Sequence, residues 1–412
     1  MKVFRSAIQS ISQKRLRSSL AGFGIAWGIF LLVIFLGIGD GFKDGVMKMF
    51  NSFAQKSLFI YGGQTSVAGS ELPEKSHVLF DKSIVDVLRQ RYGCIVSCSP
   101  EMSVPSVNIS YGGETTVSSV KGVSADYFKI KILDVKTGRG ISRLDDERGR
   151  NVAVIGEGIQ KSLFGKQDGI GKMIDIGGGL FKVIGVLCSD DIFSVQERNS
   201  VYVPSEAFIG NFNSEGKISS FCLSLSSDSD TGEIEKDLQG YLAYRYGFDS
   251  NDDSALYIAN IETQTVAFES LFHGLEVLIW IVGVCLLLSG IVGVCNVMLI
   301  IVKERTSEIG IRKAVGATSG SIISMIMAES VTITFIAGAV GVVSGAMVVL
   351  LADKVILPLL NTEIMDSIQI NFPAVIAAFV ILCLSGIAAG LFPALKASQI
   401  TPVDAIRYEN RG

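Results

Sequence analysis

Residues Val277–Val302 read VLIWIVGVCLLLSGIVGVCNVMLIIV, 26 positions without one charged side chain. A helix needs about 20 apolar residues to cross a hydrocarbon core roughly 30 Å thick. Inside lipid the backbone has to satisfy its own hydrogen bonds, so such a run is read as a helix. Ser18–Gly39, residues 320–352 and Phe372–Leu395 meet the same test, with Glu329 the one charge among them. The whole chain is 49% hydrophobic and 18% charged, too apolar for an ordinary soluble protein of 412 residues. The fold expected is an α-helical membrane protein with four transmembrane helices and a mixed α/β extracytoplasmic domain inserted between helices 1 and 2.

Ser18–Gly39 has the basic-then-apolar layout of a signal peptide, but the run is too long for a signal core. Gly37-Ile-Gly-Asp-Gly41 follows it where a small-x-small cleavage site would stand, so a retained anchor is expected. Orientation follows from the basic residues. Lys2, Arg5, Lys14, Arg15 and Arg17 precede span one, Lys303, Arg305, Arg312 and Lys313 lie between spans two and three, and Lys396, Arg407 and Arg411 follow span four. These segments hold 12 Lys and Arg against four acidic residues, whereas Asp40–Phe272 holds 23 basic and 31 acidic residues. Short loops rich in Lys and Arg stay in the cytoplasm. The sequence therefore predicts a multi-pass membrane protein with both termini cytoplasmic. Its parts are a cytoplasmic amphipathic helix (1–17), the first span (18–39), the outer domain (40–272), the second span (277–302), a cytoplasmic loop (303–319), the third span (320–352), an outer loop (353–371), the fourth span (372–395) and a cytoplasmic tail (396–412). Val3, Phe4, Ala7, Ile8 and Ile11 share one face of the first of these, fitted to the inner leaflet.

In the insert, Asn151–Gly156 and Phe181–Leu187 read as strands and Gly158–Phe164 and Asp230–Tyr244 as helices. At its ends, Phe42, Val46, Met49, Phe50 and Phe53, and then Ile261, Val266, Phe268, Leu271, Leu275 and Leu278, recur at helical spacing. They extend spans one and two into a stalk, or they form amphipathic helices packed on the domain.

Several features that resemble chemical sites fail on inspection. Gly165-Lys166, Gly171-Lys172 and Gly177-Gly178-Gly179 do not make G-x-x-x-x-G-K-[ST], because Lys166 stands at the first glycine and Met173 follows Lys172. The two histidines, His77 and His273, lie far from any pair of cysteines with zinc-ligand spacing. Cys285, Cys295 and Cys383 fall in spans; Cys94, Cys98, Cys188 and Cys222 are in the outer domain, where one bridge is open but its connectivity is unreadable. No catalytic set, cofactor, metal or nucleic-acid partner is expected. Glu329 is costly in lipid. It is a helix-contact or signalling residue, or it lies close enough to the interface to be solvated. Gly24/Gly28, Gly341/Gly345 and Gly386/Gly390 each form a G-x-x-x-G pair that allows close helix approach.

The loop Lys303-Glu-Arg-Thr-Ser-Glu-Ile-Gly-Ile-Arg-Lys-Ala-Val-Gly-Ala-Thr318 is short, charged and helical in pattern, with Ile309, Arg312, Lys313 and Gly316 near one another on a turn. It is either a plain connector or the place where a signal or energy enters from inside. With Gly290–Val302 before it, this loop resembles the signature of the MacB-like, or FtsX-like, ABC transporter permease family. Leu16–Gly28 is similar to that family's first span. Val120–Phe128, Gly138-Arg139 and the run from Val154 to Lys172 are similar to its periplasmic core, and Phe392–Tyr408 to its C-terminal end. The resemblance implies a dimeric permease of the bacterial inner membrane, formed with a second copy or a paralogue, that binds an ABC ATPase and in some members a membrane-fusion protein. It implies a coupling helix at Glu304, Arg305, Thr306, Glu308, Ile309, Gly310, Arg312, Lys313, Gly316 and Ala317, with a second contact in the tail at about Ala397–Ile406. Motion would pass to the outer domain without a channel through the bilayer. The chain lacks a P-loop and L-S-G-G-Q, so it is expected not to be an enzyme itself, with the ATPase on another chain. Export of a drug, peptide or lipoprotein is the activity implied; the alternative is an FtsX-like regulatory scaffold that controls a periplasmic partner without transport.

Overall fold

The computed structural model describes residues 15–187, 195–212, 215–356 and 372–401. The N-terminal amphipathic segment up to residue 14, Cys188, most of the 353–371 loop and the tail beyond Thr401 lie outside the described residues. The elements, in chain order, are α1 (Arg15–Asn51), β1 (Ser57–Gly62), β2 (Phe80–Asp81), α2 (Ile84–Arg91), β3 (Ile95–Tyr111), β4 (Glu114–Val123), α3 (Tyr127–Ile130), β5 (Val135–Gly138), α4 (Arg143–Glu147), β6 (Val152–Gly156), α5 (Glu157–Phe164), β7 (Met173–Ile176) and β8 (Gly179–Leu187). There follow α6 (Val195–Arg198), β9 (Ser200–Pro204), α7 (Ser205–Phe212), β10 (Lys217–Ile218), β11 (Ser220–Leu225), α8 (Thr231–Tyr246), β12 (Leu256–Asn260), α9 (Ile261–Glu304), α10 (Thr306–Ala314), α11 (Ser319–Leu351) and α12 (Phe372–Ser398). Among the described residues four helices are long and apolar enough to span a membrane, α1, α9, α11 and α12. The chain divides into two compact units, Met1–Gly45 with Leu271–Gly412, and Val46–Ser270.

In the first unit each long helix turns one stripe inward. On α1 the stripe is Ile25, Ile29, Leu32, Val33 and Leu36, the spacing of a single helix face. Leu288, Val292, Phe335, Val343, Ile376 and Val380 are exposed, as lipid-facing side chains are. The glycine pairs have defined partners within the chain. A Cβ at Gly341 would lie 2.5 Å from the Ala26 carbonyl oxygen, and one at Gly345 3.0 Å from Val33 Cβ, so α11 meets α1 backbone to backbone. Gly386 and Gly390 of α12 seat against Thr334 and Ser330 of α11, and Gly28 of α1 against Leu286 of α9.

The second unit is built on a ten-stranded mixed sheet of order β12-β1-β11-β3-β4-β9-β6-β8-β5, with β7 paired to β3 and β8. Its first and last strands are neighbours, antiparallel, with Ile60 opposite Ile258. Entry and exit of the chain are thereby brought side by side, as an insertion between two helices requires. One face packs Leu58, Ile60, Cys98, Ile109, Val201, Phe208 and Leu223 under helices α2, α5, α7 and α8. The other packs Phe59, Tyr127, Val154, Tyr202 and Cys222 with Phe50 of α1 and Ile261 of α9. Cys98 and Cys222 lie on neighbouring strands but on opposite faces, and Cys94, Cys98 and Cys222 are free thiols. Burial pushes the Cys98 thiol up to about 12.

Candidate functional site

The 303–318 loop folds as a short helix between two sharp breaks. α9 ends at Glu304, and Arg305 leaves helical geometry with φ −99° and ψ 16°. Thr306 Oγ1 donates to the carbonyls of Val302 (3.1 Å) and Lys303 (2.8 Å), which closes the end of α9. At the far end Gly316 adopts φ 100°, Ala317 N donates to Arg312 O (2.9 Å) and Gly316 N to Lys313 O (3.0 Å). That is a Schellman stop, which needs glycine at the left-handed position. Thr318 then caps α11, its side chain accepting from Ser321 N.

Between the breaks, α10 has an inward and an outward face. Thr306, Ile309 and Gly310 are buried against the bundle. Ile311 and Val315, four residues apart, are 61% and 85% exposed. Arg312 and Gly316 share this open side, whereas Ile309, grouped with them by spacing alone, points inward. Ile311 and Val315 had a sequence signal, two apolar residues one turn apart in a short charged loop, that the reading of the loop passed over.

Ion pairs run from α10 into the bundle. Arg312 Nη2 donates to Glu308 Oε1 (2.7 Å), Arg305 Nε to Glu308 Oε2 (2.9 Å), and Arg305 Nη1 to Glu329 Oε2 (3.0 Å). Glu329 is thus buried and paired on α11. Burial works against the Arg305 charge, but the bonds and charges of Glu308 and Glu329 outweigh it and hold its pKa above the ordinary value. Burial likewise works against the Glu308 carboxylate, and Arg305 and Arg312 outweigh it and hold its pKa low. Lys313 Nζ donates to the carbonyls of Ser398 and Ile400 (3.0 Å for the latter), capping the C-terminal end of α12 with a cation. A cavity of about 10 Å³ beside Arg305 and Glu329 has room for about one water. These bonds tie α10 to both α11 and α12.

A second set of charges, invisible in the sequence, lies in the outer unit. Lys131 Nζ donates to Glu197 Oε1 (3.1 Å), Tyr127 Oη to Glu101 Oε1 (2.8 Å), and Lys121 Nζ stands 3.6 Å from Glu101. All four charged side chains are nearly buried. The Lys131 ammonium also faces the rings of Phe53, Phe59 and Tyr127 at 5.5–5.9 Å. Burial opposes both charges of the Lys131–Glu197 pair. The carboxylates of Glu101 and Glu197 outweigh it at Lys131, whose pKa is raised, and the ammonium groups outweigh it at Glu197, whose pKa is lowered. The His, Cys, Asp and Glu side chains form no group able to hold a metal ion among the described residues.

The Macrolide export ATP-binding/permease protein MacB of Bdellovibrio bacteriovorus is 28% identical over 403 residues, which is 97% of this chain and 61% of that protein. MacB of Mannheimia succiniciproducens is 26% identical over 411 residues, 99% of this chain and 61% of that protein. The chain spans about three-fifths of the length of these relatives. Among solved structures, the periplasmic region of MacB from Actinobacillus actinomycetemcomitans matches with a TM-score of 0.44 and 21% identity, over 53% of this chain and 95% of that one. The extracellular domain of the noncanonic ABC-type transporter YknZ from Gram-positive bacteria matches with a TM-score of 0.42 and 20% identity, over 50% of this chain and all of that one. Residues 18–241 match the family model of the MacB-like periplasmic core domain and residues 280–402 that of the FtsX-like permease C-terminal region. With more than half of it covered by the first of these models alone, the chain belongs to the MacB-like, FtsX-like family of ABC transporter permeases.

Proposed function

We propose that this protein is the membrane subunit of an ABC exporter of the mechanical-transmission type, in the inner membrane with both termini cytoplasmic. We assign ATP hydrolysis to an ABC ATPase outside these 412 residues, which contain no G-x-x-x-x-G-K-[ST]. The ATPase grips α10, two copies of the permease pair, and α1 and α9 carry the movement to the outer domains. The observation that supports this best is the two-sidedness of α10. Its inner face is tied to α11 and α12 through Arg305 and Lys313, and its outer face offers the apolar pair Ile311 and Val315 beside Arg312. Exposed apolar residues on a small cytoplasmic loop suit a protein partner. The curated relatives carry macrolide export in their names, and we assign this chain a substrate of the drug, peptide or lipoprotein class taken up on the outer side.

Purification of the tagged chain from its native membrane tests the reading. An ABC ATPase is expected in near-stoichiometric yield, and Ile311→Asp/Val315→Asp should lower that yield about tenfold or more, since charge in a desolvated contact costs several kcal/mol. Arg312→Glu should leave hydrolysis running but poorly matched to transport. Recovery of a periplasmic hydrolase with no ATPase-driven transport would turn the assignment to the regulatory scaffold.

A further inference from the structure

We infer that Arg305 and Glu329 form a strut that delivers displacement of α10 to α11, where the break at Arg305 would otherwise absorb it. The inference rests on the reading of α10 as the ATPase-coupling helix. Four observations carry it.

The first is the break itself. Arg305 leaves helical geometry between α9 and α10, although its N still donates to Ile301 O and its O accepts from Ile309 N (3.0 Å each), and we take this single-residue interruption as a hinge. A push on α10 would bend this hinge unless a second connection bypassed it.

The second is the pairing. Arg312, Glu308, Arg305 and Glu329 alternate in sign and are bonded in that order, with side chains 46%, 42%, 28% and 5% exposed. The row starts at the open face of α10 and ends inside the bundle. Stability does not account for its inner end. A buried ion pair can often be replaced by apolar residues of similar volume at no loss. What the pair supplies is a fixed geometry between the hinge and α11.

The third is the opposite anchor. Lys313 bonds the Ser398 and Ile400 carbonyls at the end of α12. Arg305 near one end of α10 and Lys313 near the other hold the helix against two different spans, so α10 moves with them as a body.

The fourth is what lies downstream. Glu329 is on the helix whose Gly341 and Gly345 touch the α1 backbone and whose Ser330 and Thr334 receive the α12 glycines. Small-residue contacts leave few side-chain rotamers to take up a displacement. A shift of α11 is therefore passed to α1, which runs on to Asn51. Arg305 and Glu329 are positioning residues, acting on the coupling helix and not on any substrate.

The test uses the full chain in lipid nanodiscs in two arms. In the first, without ATPase, hydrogen exchange is followed across residues 304–317. Glu329→Gln should speed exchange there about tenfold while leaving the outer domain unchanged, and the conservative Glu329→Asp, which keeps the carboxylate and the Arg305–Glu308 bond, should retain most of the protection. In the second, the captured ABC ATPase is present, and the ATP-dependent change in outer-domain exchange is measured per ATP hydrolysed. E329Q should hold the ATPase as wild type does and lose that response about tenfold, and E329D should keep most of it. The strut is overturned if E329Q keeps the wild-type response, or if E329L/R305M performs as well as wild type, which would leave packing as the cause. If the wild-type chain captures no ATPase, the exporter reading falls, and the first arm alone still decides whether the pair holds α10 to α11.

Discussion

At the scale of single residues, what distinguishes this chain is where it buries charge. Glu329 was legible in advance as a costly residue in an apolar run, because one acidic letter among uncharged neighbours stands out. Its partner was not, because Arg305 sits among other loop charges and only the fold brings it to 3.0 Å. Glu101, Lys121, Lys131 and Glu197 were wholly illegible: each reads as an ordinary charge of a polar domain, and the sheet collects them under one face. The Glu197 carboxylate, with its pKa held low, contributes stability above its unfolded pKa of about 4.3, and that contribution is lost as pH falls through its lower folded value. Lys131, with its pKa raised, contributes below its unfolded value of about 10.4 and loses it as pH rises through the folded one. Outer-domain stability should therefore be level through neutral pH and decline below about pH 4. Glu197→Gln should lower it by about 3 kcal/mol at pH 7 by removing the carboxylate bonded to the buried Lys131 ammonium, and Lys131→Met/Glu197→Leu should return most of that. Thermal unfolding of the full chain followed by outer-domain hydrogen exchange measures both; equal losses in the single and double variants would show that the ion pair is not the cause.

Elements were more readable than their partners. Apolar length marks the four spans, and Gly316 after a basic turn marks the stop of α10, because these signals are local. The extent of α1 beyond Gly39 to Asn51 was visible as helical spacing of Phe42, Val46, Met49 and Phe50. Strand order was not readable: β4 pairs with β9 and β6 with β8, connections set by contacts between distant residues. The G-x-x-x-G pairs told that helices approach closely but not which ones. The structure gives Gly341 to α1, with no room for a side chain beside Ala26. Gly341→Leu should force α11 from α1 and cost about 3 kcal/mol, lowering the midpoint of thermal unfolding in detergent, whereas Gly293→Leu, which meets open space, should change it little. Equal effects of the two substitutions would refute the seam.

For the whole molecule the sequence established two environments, an apolar bundle and an acidic insert. Within the insert the fold adds that β1 and β12, its first and last strands, are paired neighbours. Charged loops and the family signature pointed to α10 as the entry of energy, while burial shows which of its side chains, Ile311 and Val315, are exposed. If the account is right, ATP bound inside moves a domain outside. Tyr244, 90% exposed on α8, offers a position for a reporter. Spin labels at Tyr244→Cys in both copies of the nanodisc-borne permease, on a background with the native cysteines replaced, report the distance between outer domains. With the ABC ATPase bound, ATP should shift that distance by several ångström in the wild type and leave it unmoved in Ile311→Asp/Val315→Asp. A distance that stays constant while ATP is hydrolysed and substrate is exported would contradict the account.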